Sequence, residues 1–259
     1  MKCSVLFYTV ETYAMLHIMD KHHLASHLDL ANHHANATIK DIKHLCEQVV
    51  KYGFNGAFVN PCYVSLAKSF VGHQAKVGTV ISFPLGQDTT EIKVSSSIQA
   101  VKDGADELDI VPNNSILISG VLDNSRTQLN AIVTSVRDIN KETVIKFILE
   151  TGDLSPLPEA HPTPEQVMQG NERIKTGARL VLESGADFVK ICTGMGRRGP
   201  SLMDVALVKE VVSGKIKIKV AGGITTYTQA KAFLDAGVDR IGTSHAVEIL
   251  KETERHINS

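Results

Sequence analysis

The sequence predicts a single α/β domain, a (β/α)8 barrel, and three observations carry that prediction. Strand-length apolar runs alternate strictly with helix-length stretches along the chain. One half-unit recurs: Gly53-Phe-Asn-Gly-Ala-Phe58, Gly104-Ala-Asp-Glu-Leu-Asp109, Gly185-Ala-Asp-Phe-Val-Lys190 and Gly237-Val-Asp-Arg-Ile-Gly242 each set a glycine between a helical stretch and a short apolar run. Glycine readily takes the left-handed conformation that ends a helix, so each marks a helix stop feeding a strand. The length, 259 residues, suits one such barrel. An open doubly wound sheet with a nucleotide loop is the alternative, and strict alternation at this length disfavours it.

Taken in order, the expected strands are 24–29, 56–60, 77–82, 107–112, 144–149, 187–192, 216–221 and 239–243. Each is followed by an expected helix: 38–52, 61–72, 89–103, 125–140, 164–184, 201–213, 226–237 and 244–255. The recurring glycines supply the turns into strands two, four, six and eight. Residues 1–22 read as an added N-terminal helix or arm, and 23–259 as the catalytic barrel. Residues 152–164 hold four prolines and predict a long rigid loop after strand five.

Composition excludes several function classes. With 27 Lys+Arg against 28 Asp+Glu, the chain has no basic field for nucleic acid. A hydrophobic share of 43% excludes wholesale disorder. No apolar run approaches the ~20 residues of a membrane helix, and no signal peptide is expected. Cys3, Cys46, Cys62 and Cys192 have no metal spacing, which fits a reduced, cytoplasmic protein. Without Trp, a carbohydrate-stacking surface is not expected.

Barrel strands point alternate residues inward. In Lys215-Ile-Lys-Ile-Lys-Val220 the isoleucines must meet the helices, so Lys217 and Lys219 point inward. The same alternation turns Asp109, Lys146 and Lys190 inward, and Cys192 with Lys190. Glu107 lies lower, where it can pair with Lys217. A lone buried charge is usually structural and costly, but several converging near the C-terminal strand ends mark a site, because active sites of this fold lie there. A lysine must be neutral to attack a carbonyl, and a neighbouring ammonium plus burial lowers its pKa. A nearby carboxylate can shuttle protons through water. Lys190, Lys219 and Asp109 therefore read as Schiff-base chemistry.

Thr193-Gly194, Gly222-Gly223 and Gly242-Thr-Ser244 follow strands six, seven and eight. Glycine turns with a helix N-terminus form a phosphate cradle at this position of the fold. Seven of the eleven histidines fall within 17–44, including the pairs His22-His23 and His33-His34. Adjacent histidines in a strand point to opposite faces, and the spacing is not that of a metal site. They read as a polar surface, with His33 or His34 at the site rim.

Asn60-Pro61, Val77-Gly-Thr-Val-Ile-Ser-Phe-Pro-Leu-Gly86, Gly104-Ala-Asp-Glu-Leu-Asp-Ile-Val111, Lys146-Phe-Ile-Leu-Glu-Thr151, Gly185-Ala-Asp-Phe-Val-Lys-Ile-Cys-Thr-Gly194 and Lys219-Val-Ala-Gly-Gly-Ile224 appear in order. Together, spread over roughly 24–250, they resemble the 2-deoxyribose-5-phosphate aldolase family, class I aldolases on a (β/α)8 barrel. The resemblance implies that Lys190 forms the Schiff base, Lys219 lowers its pKa and Asp109 acts with water in proton transfer. It implies substrate contacts from Asp29 at the end of strand one and from Lys146. With the turns above, the expected substrate-binding set is Asp29, Lys146, Thr193, Gly194, Gly222, Gly223, Gly242 and Ser244.

The implied reaction is reversible cleavage of 2-deoxy-D-ribose 5-phosphate to D-glyceraldehyde 3-phosphate and acetaldehyde. The implied partner is a small sugar phosphate, with no metal or other cofactor, no nucleic acid and no membrane, and the chain is expected to form a homo-oligomer. This chain departs from the family at Ile191, Val220 and His245, and in Asp29-Leu-Ala-Asn-His-His34. Met195-Gly-Arg-Arg-Gly199 offers Arg197 and Arg198 to an anionic group. The alternatives are a related Schiff-base aldolase or transferase with another carbonyl substrate, and a non-catalytic barrel that binds sugar phosphates.

Overall fold

The computed structural model describes residues 19–156 and 160–257. Eight parallel strands close into a barrel in chain order: β1 (Leu28–Asn32), β2 (Gly56–Val59), β3 (Lys76–Ile81), β4 (Glu107–Ile110), β5 (Val144–Leu149), β6 (Phe188–Ile191), β7 (Lys217–Ala221) and β8 (Arg240–Thr243). The helices are α1 (Lys21–Ser26), α2 (Ile39–Tyr52), α3 (Val64–Val71), α4 (Thr90–Lys102), α5 (Asn114–Ser119), α6 (Leu122–Ile139), α7 (Thr151–Leu154), α8 (Pro164–Glu183), α9 (Leu202–Val212), α10 (Tyr227–Asp235) and α11 (Ala246–Ile257).

Local chemistry sets these boundaries. Thr38 and Asp41 close a capping box at the start of α2, and Gly53 ends it at φ 68°. Ile42, Leu45, Cys46 and Val49 form its buried stripe. Capping boxes also start α8, with Pro164 at its first turn, and α9 and α10.

Strand one begins later than the sequence predicts. Asp20 accepts from the His23 amide and starts α1, which occupies the first half of the expected strand 24–29. Leu24 and Ala25 are the buried residues of α1 and join the apolar core from that helix. The expected boundary between 22 and 23 falls inside α1, and residues 1–18 of the expected extension lie outside the described residues. Between β4 and α6 the added helix α5 is capped by Asn113 and ended by Gly120. The expected loop 152–164 begins as α7, and its residues 157–159 lie outside the described residues.

The apolar core is the layer between strands and helices. Leu28, Leu30, Ala57, Val59, Val77, Ile81, Leu108, Ile110, Phe147, Val189, Ile218 and Ile241 belong to one buried cluster with the helix stripes. Their alternates face the barrel interior. That interior holds Phe58, Val80, Ile148 and Phe188, together with seven ionisable residues: Asp29, Glu107, Asp109, Lys146, Lys190, Lys219 and Arg240.

Gly194-Met-Gly-Arg-Arg-Gly199 has the spacing of a dinucleotide loop, yet it follows a strand of a closed barrel. It packs over the carboxylate of Glu150, with which a Cβ at Gly196 would collide. That carboxylate leaves no space for a pyrophosphate at Gly196.

Candidate active site

Register brings the charged side chains together. Asp109 pairs with Lys146 across β4 and β5, Lys190 with Lys219 across β6 and β7, and Lys219 with Arg240 across β7 and β8. Neighbours in a parallel ladder share a face, so all five point inward. Lys190 Nζ and Lys219 Nζ both donate to Asp109 Oδ2 at 2.8 Å. Asp109 Oδ1 lies 3.0 Å from Lys146 Nζ. Lys146 also reaches Glu107 Oε2 at 2.5 Å. Lys219 reaches Asp29 Oδ2 at 2.7 Å, and Arg240 pairs with Asp29 Oδ1 at 3.0 Å.

Four cations thus face three carboxylates, and the interior becomes neutral when one ammonium loses its proton. Lys190 is the one the surroundings favour. Burial lowers its pKa, Lys219 and Lys146 push in the same direction, and Asp109 only partly offsets them. Lys146 goes the other way: burial works against its charge, but Asp109 and Glu107 together raise its pKa. Burial also works to raise the Asp109 carboxyl, and the three lysines nevertheless hold it well below the usual carboxylate range. For Asp29 burial prevails, and its pKa is raised despite Lys219 and Arg240.

Above this network lies an open cavity whose wall includes Asp109, Lys190 and Lys219. Thr193, Gly194, Gly222, Gly223, Gly242 and Ser244 also line it, so six of the eight expected substrate-binding residues converge there. Asp29 and Lys146 do not line it. Asp29 is the second residue of β1, not its last, because the strand starts at Leu28. It is fully buried beneath Lys219, as Lys146 is beneath Asp109, and both act through ion pairs.

Three further expectations are corrected. Lys217 shares the inward face with its ladder neighbour Phe188, its Nζ 5.8 Å from that ring's centroid, but it stands exposed at the first position of β7, and Glu107 pairs with Lys146 and Arg240 instead. Cys192 leaves the strand alternation at φ 66°, joins the outer apolar core and lies 3.2 Å from Thr151 Oγ1. Neither arginine lines the cavity. Arg198 is held by Asp204 at 2.6 and 2.9 Å, and Arg197 by Asp153 at 2.9 Å.

The far end of the cavity is built from backbone. Gly194 and Gly222, at φ 86° and 111°, touch so closely that a Cβ on Gly222 would lie 2.8 Å from the Gly194 Cα. Beyond them, α11 begins just after Ser244 and His245, and both residues line the cavity rim. The His245 amide donates to Thr243 Oγ1 at 2.9 Å. Glycine turns beside a helix N-terminus make an anion site.

Sequence reasoning missed several contributors. The Phe58 ring centroid lies 3.6 Å from Lys219 Nζ and gives that ammonium an aromatic face. Arg240 could have been found by the same alternation, since Ile241 beside it faces the helices. His33 lines the wall with its ring centroid 5.3 Å from that of Phe83. Burial, with Lys190 and Lys219, pushes its pKa down to about 3, so it stays neutral in the working range. Glu150 accepts from the Thr193 amide at 2.9 Å and from its hydroxyl at 2.6 Å, and so fixes the turn after β6.

Residues 14–245 match the model of the DeoC/LacD family of aldolases. The chain belongs to that family. It is 37% identical over 235 residues to a deoxyribose-phosphate aldolase of Caldicellulosiruptor saccharolyticus, covering 90% of this chain and 100% of that one. It is 40% identical over 221 residues to a deoxyribose-phosphate aldolase of Caldanaerobacter subterraneus, covering 85% and 89% of the two chains. The solved structure of the deoxyribose phosphate aldolase of Aeropyrum pernix superposes with a TM-score of 0.78 at 27% identity, covering 94% and 96%. The chain is therefore an aldolase on a (β/α)8 barrel. Among the described residues, no helix is long and apolar enough to cross a membrane.

Proposed function

We propose that this aldolase cleaves 2-deoxy-D-ribose 5-phosphate reversibly to D-glyceraldehyde 3-phosphate and acetaldehyde, with Lys190 as the Schiff-base nucleophile. The observation that carries this reading is the sharing of Asp109 Oδ2 by Lys190 and Lys219 at the cavity floor. Burial and the second ammonium favour a neutral Lys190, and the relatives named above bear the same activity in their names.

Neutral Lys190 adds through Nζ to the C1 aldehyde of the open sugar, and loss of water gives the protonated imine. Removal of the C3 hydroxyl proton, by Asp109 acting through water, breaks the C2–C3 bond. Its electron pair passes into the imine to form an enamine, and C3 leaves as the aldehyde carbon of glyceraldehyde 3-phosphate. The enamine takes a proton at C2, and water returns acetaldehyde and free Lys190. Lys219 holds Asp109 in place and keeps a positive charge beside the nucleophile. Asp29 and Lys146 support that arrangement from below.

The phosphate is held by the turns at Gly194, Gly222 and Gly223, by Ser244, and by the N-terminus of α11, with Thr193 and Gly242 along the way. Neither Arg197 nor Arg198 takes part, since both are engaged elsewhere. A homo-oligomer belongs to the same proposal. The Aeropyrum pernix relative is described as tetrameric, and light scattering of the purified chain tests it.

Borohydride reduction in the presence of substrate, followed by mass location of the adduct, tests the nucleophile. An adduct on Lys190 is expected, and one on any other lysine removes the proposal. A kcat/KM no higher for deoxyribose 5-phosphate than for deoxyribose would remove the phosphate assignment.

A further inference from the structure

A second cavity adjoins the lysine site and shares Thr193 and Met195 with it. Its floor is formed by Glu150 and Asn114, which are only 4% and 7% exposed. Glu150 spends one carboxylate oxygen, Oε2, on Thr193. The other, Oε1, is buried with no hydrogen-bond partner. Asn114 donates to the Ile148 carbonyl at 3.5 Å, and its own Oδ1 is likewise buried and unpartnered. Two buried acceptors from different elements, the end of β5 and the first turn of α5, are therefore both unsatisfied on this floor. Leaving such groups unpaired in a buried setting is destabilising.

The surroundings define what could satisfy them. Both orphaned atoms accept, so the ligand must donate. An anion is disfavoured, because Asp153 also lines the cavity and Arg197 is already occupied by Asp153 and the Gly152 carbonyl. A cation is the rival occupant, because Glu150 and Asp153 outnumber Arg197 on this wall, and the diamine in the test below distinguishes it. Pro84, Leu85 and Ile118 add apolar wall of the kind that meets C–H faces. Gly196 packs directly against the Glu150 carboxylate, where a Cβ would lie 2.4 Å from its carbon, so only a glycine fits beside it.

We propose that this second cavity binds the hydroxylated end of a neutral polyol or aldose, two of whose hydroxyls donate to Glu150 Oε1 and Asn114 Oδ1. An acceptor aldehyde with free hydroxyls could then reach from this cavity past Thr193 toward Lys190. That consequence rests on the aldolase reading above, but the binding itself does not.

The test uses erythritol, which has hydroxyls and no carbonyl, and the full-length protein. Saturation-transfer NMR is recorded for the wild type, Asn114→Leu and Ser115→Trp. Asn114→Leu removes one acceptor. Ser115→Trp plugs the rim from an exposed helix position and keeps the fold testable if the buried variant fails to fold. A saturable wild-type signal is expected, with affinity at least about fivefold weaker in each folded variant. Lys190→Ala should keep the signal, so a failed Schiff-base assignment and a failed polyol site give different results. Absence of a saturable signal, an affinity unchanged in either folded variant, or preferential binding of 1,4-diaminobutane would overturn the proposal.

Discussion

Lys146 and Lys190 stand on neighbouring strands, point into the same barrel and touch the same aspartate, yet their acidities move in opposite directions. Lys146 sits on the floor, fully buried, between Asp109 and Glu107. Two carboxylates outweigh the cost of burial and keep its proton. Lys190 has Asp109 alone, shares it with Lys219, and borders the cavity. One shared carboxylate does not outweigh burial, and its pKa falls. Burial alone therefore does not select a nucleophile; the number of carboxylates each lysine commands does. The floor spends its charges on holding position, and the cavity edge leaves one ammonium undercompensated.

Four substitutions can break or sharpen that contrast. Lys190→Ala should lower kcat by about 10⁵-fold or more, as loss of a covalent nucleophile does, with the thermal transition near that of the wild type. Steady-state kinetics and calorimetry decide it, and retained turnover would move the chemistry to another lysine.

Lys146→Met should act on stability first. It leaves Glu107 to Arg240, and Asp109 to two lysines, at a cost of about 3–5 kcal/mol by denaturant titration. The folded fraction should still be trapped by borohydride at Lys190. If Lys146→Met abolished the adduct without destabilising the fold, floor and cavity would not be separable. Since the folded pKa of Lys146 is raised, its stabilisation is present in full below pH ~10.4 and is lost only as pH rises through the folded value. Lys190 runs opposite: with its folded pKa lowered, stability rises with pH between that value and ~10.4.

Lys219→Leu removes a positive neighbour and returns Asp109 to Lys190. Both changes raise the pKa of Lys190, so the acidic limb of the pH–rate profile should move up by about one unit or more. An unmoved limb would reduce Lys219 to a packing role.

His33→Leu should have the smallest effect. A histidine held neutral down to about pH 3 opposes folding in acid, where the unfolded chain takes up a proton below ~6.5. The wild type should lose stability as pH falls from ~6.5 toward the folded value. The variant should lose less, by on the order of 1–2 kcal/mol at pH 4.5, because a half-buried ring keeps some solvent. Parallel pH–stability curves would show that His33 is not desolvated.

Much of the barrel can be read from the chain because period and punctuation are local. Gly53, Gly104, Gly185 and Gly237 all have positive φ and end their helices as the recurring half-unit predicts. Strand one was misplaced because Lys21–Ser26 carries no such punctuation and its cap, Asp20, resembles any surface aspartate. Alternation correctly turned Asp109, Lys146, Lys190 and Lys219 inward. It misjudged Cys192, since the strand ends at Ile191 and a positive φ resets the alternation. It could not foresee the capture of Arg198 by Asp204, which depends on how the loop after β6 folds back onto α9.

By itself the sequence determined which side of each strand is charged, because apolar residues must face the helices. It also determined, through its motifs, the family to which the chain belongs. Only the closed barrel decided which charges meet. Asp109 and Lys190 are 81 residues apart in the chain, and Asp109 and Lys219 are 110 apart. Their meeting depends on register across strands, which no local pattern encodes. Tertiary structure likewise separated Lys146 from Lys190, since a pKa is set by the distance and number of surrounding charges, and those exist only once the barrel has closed.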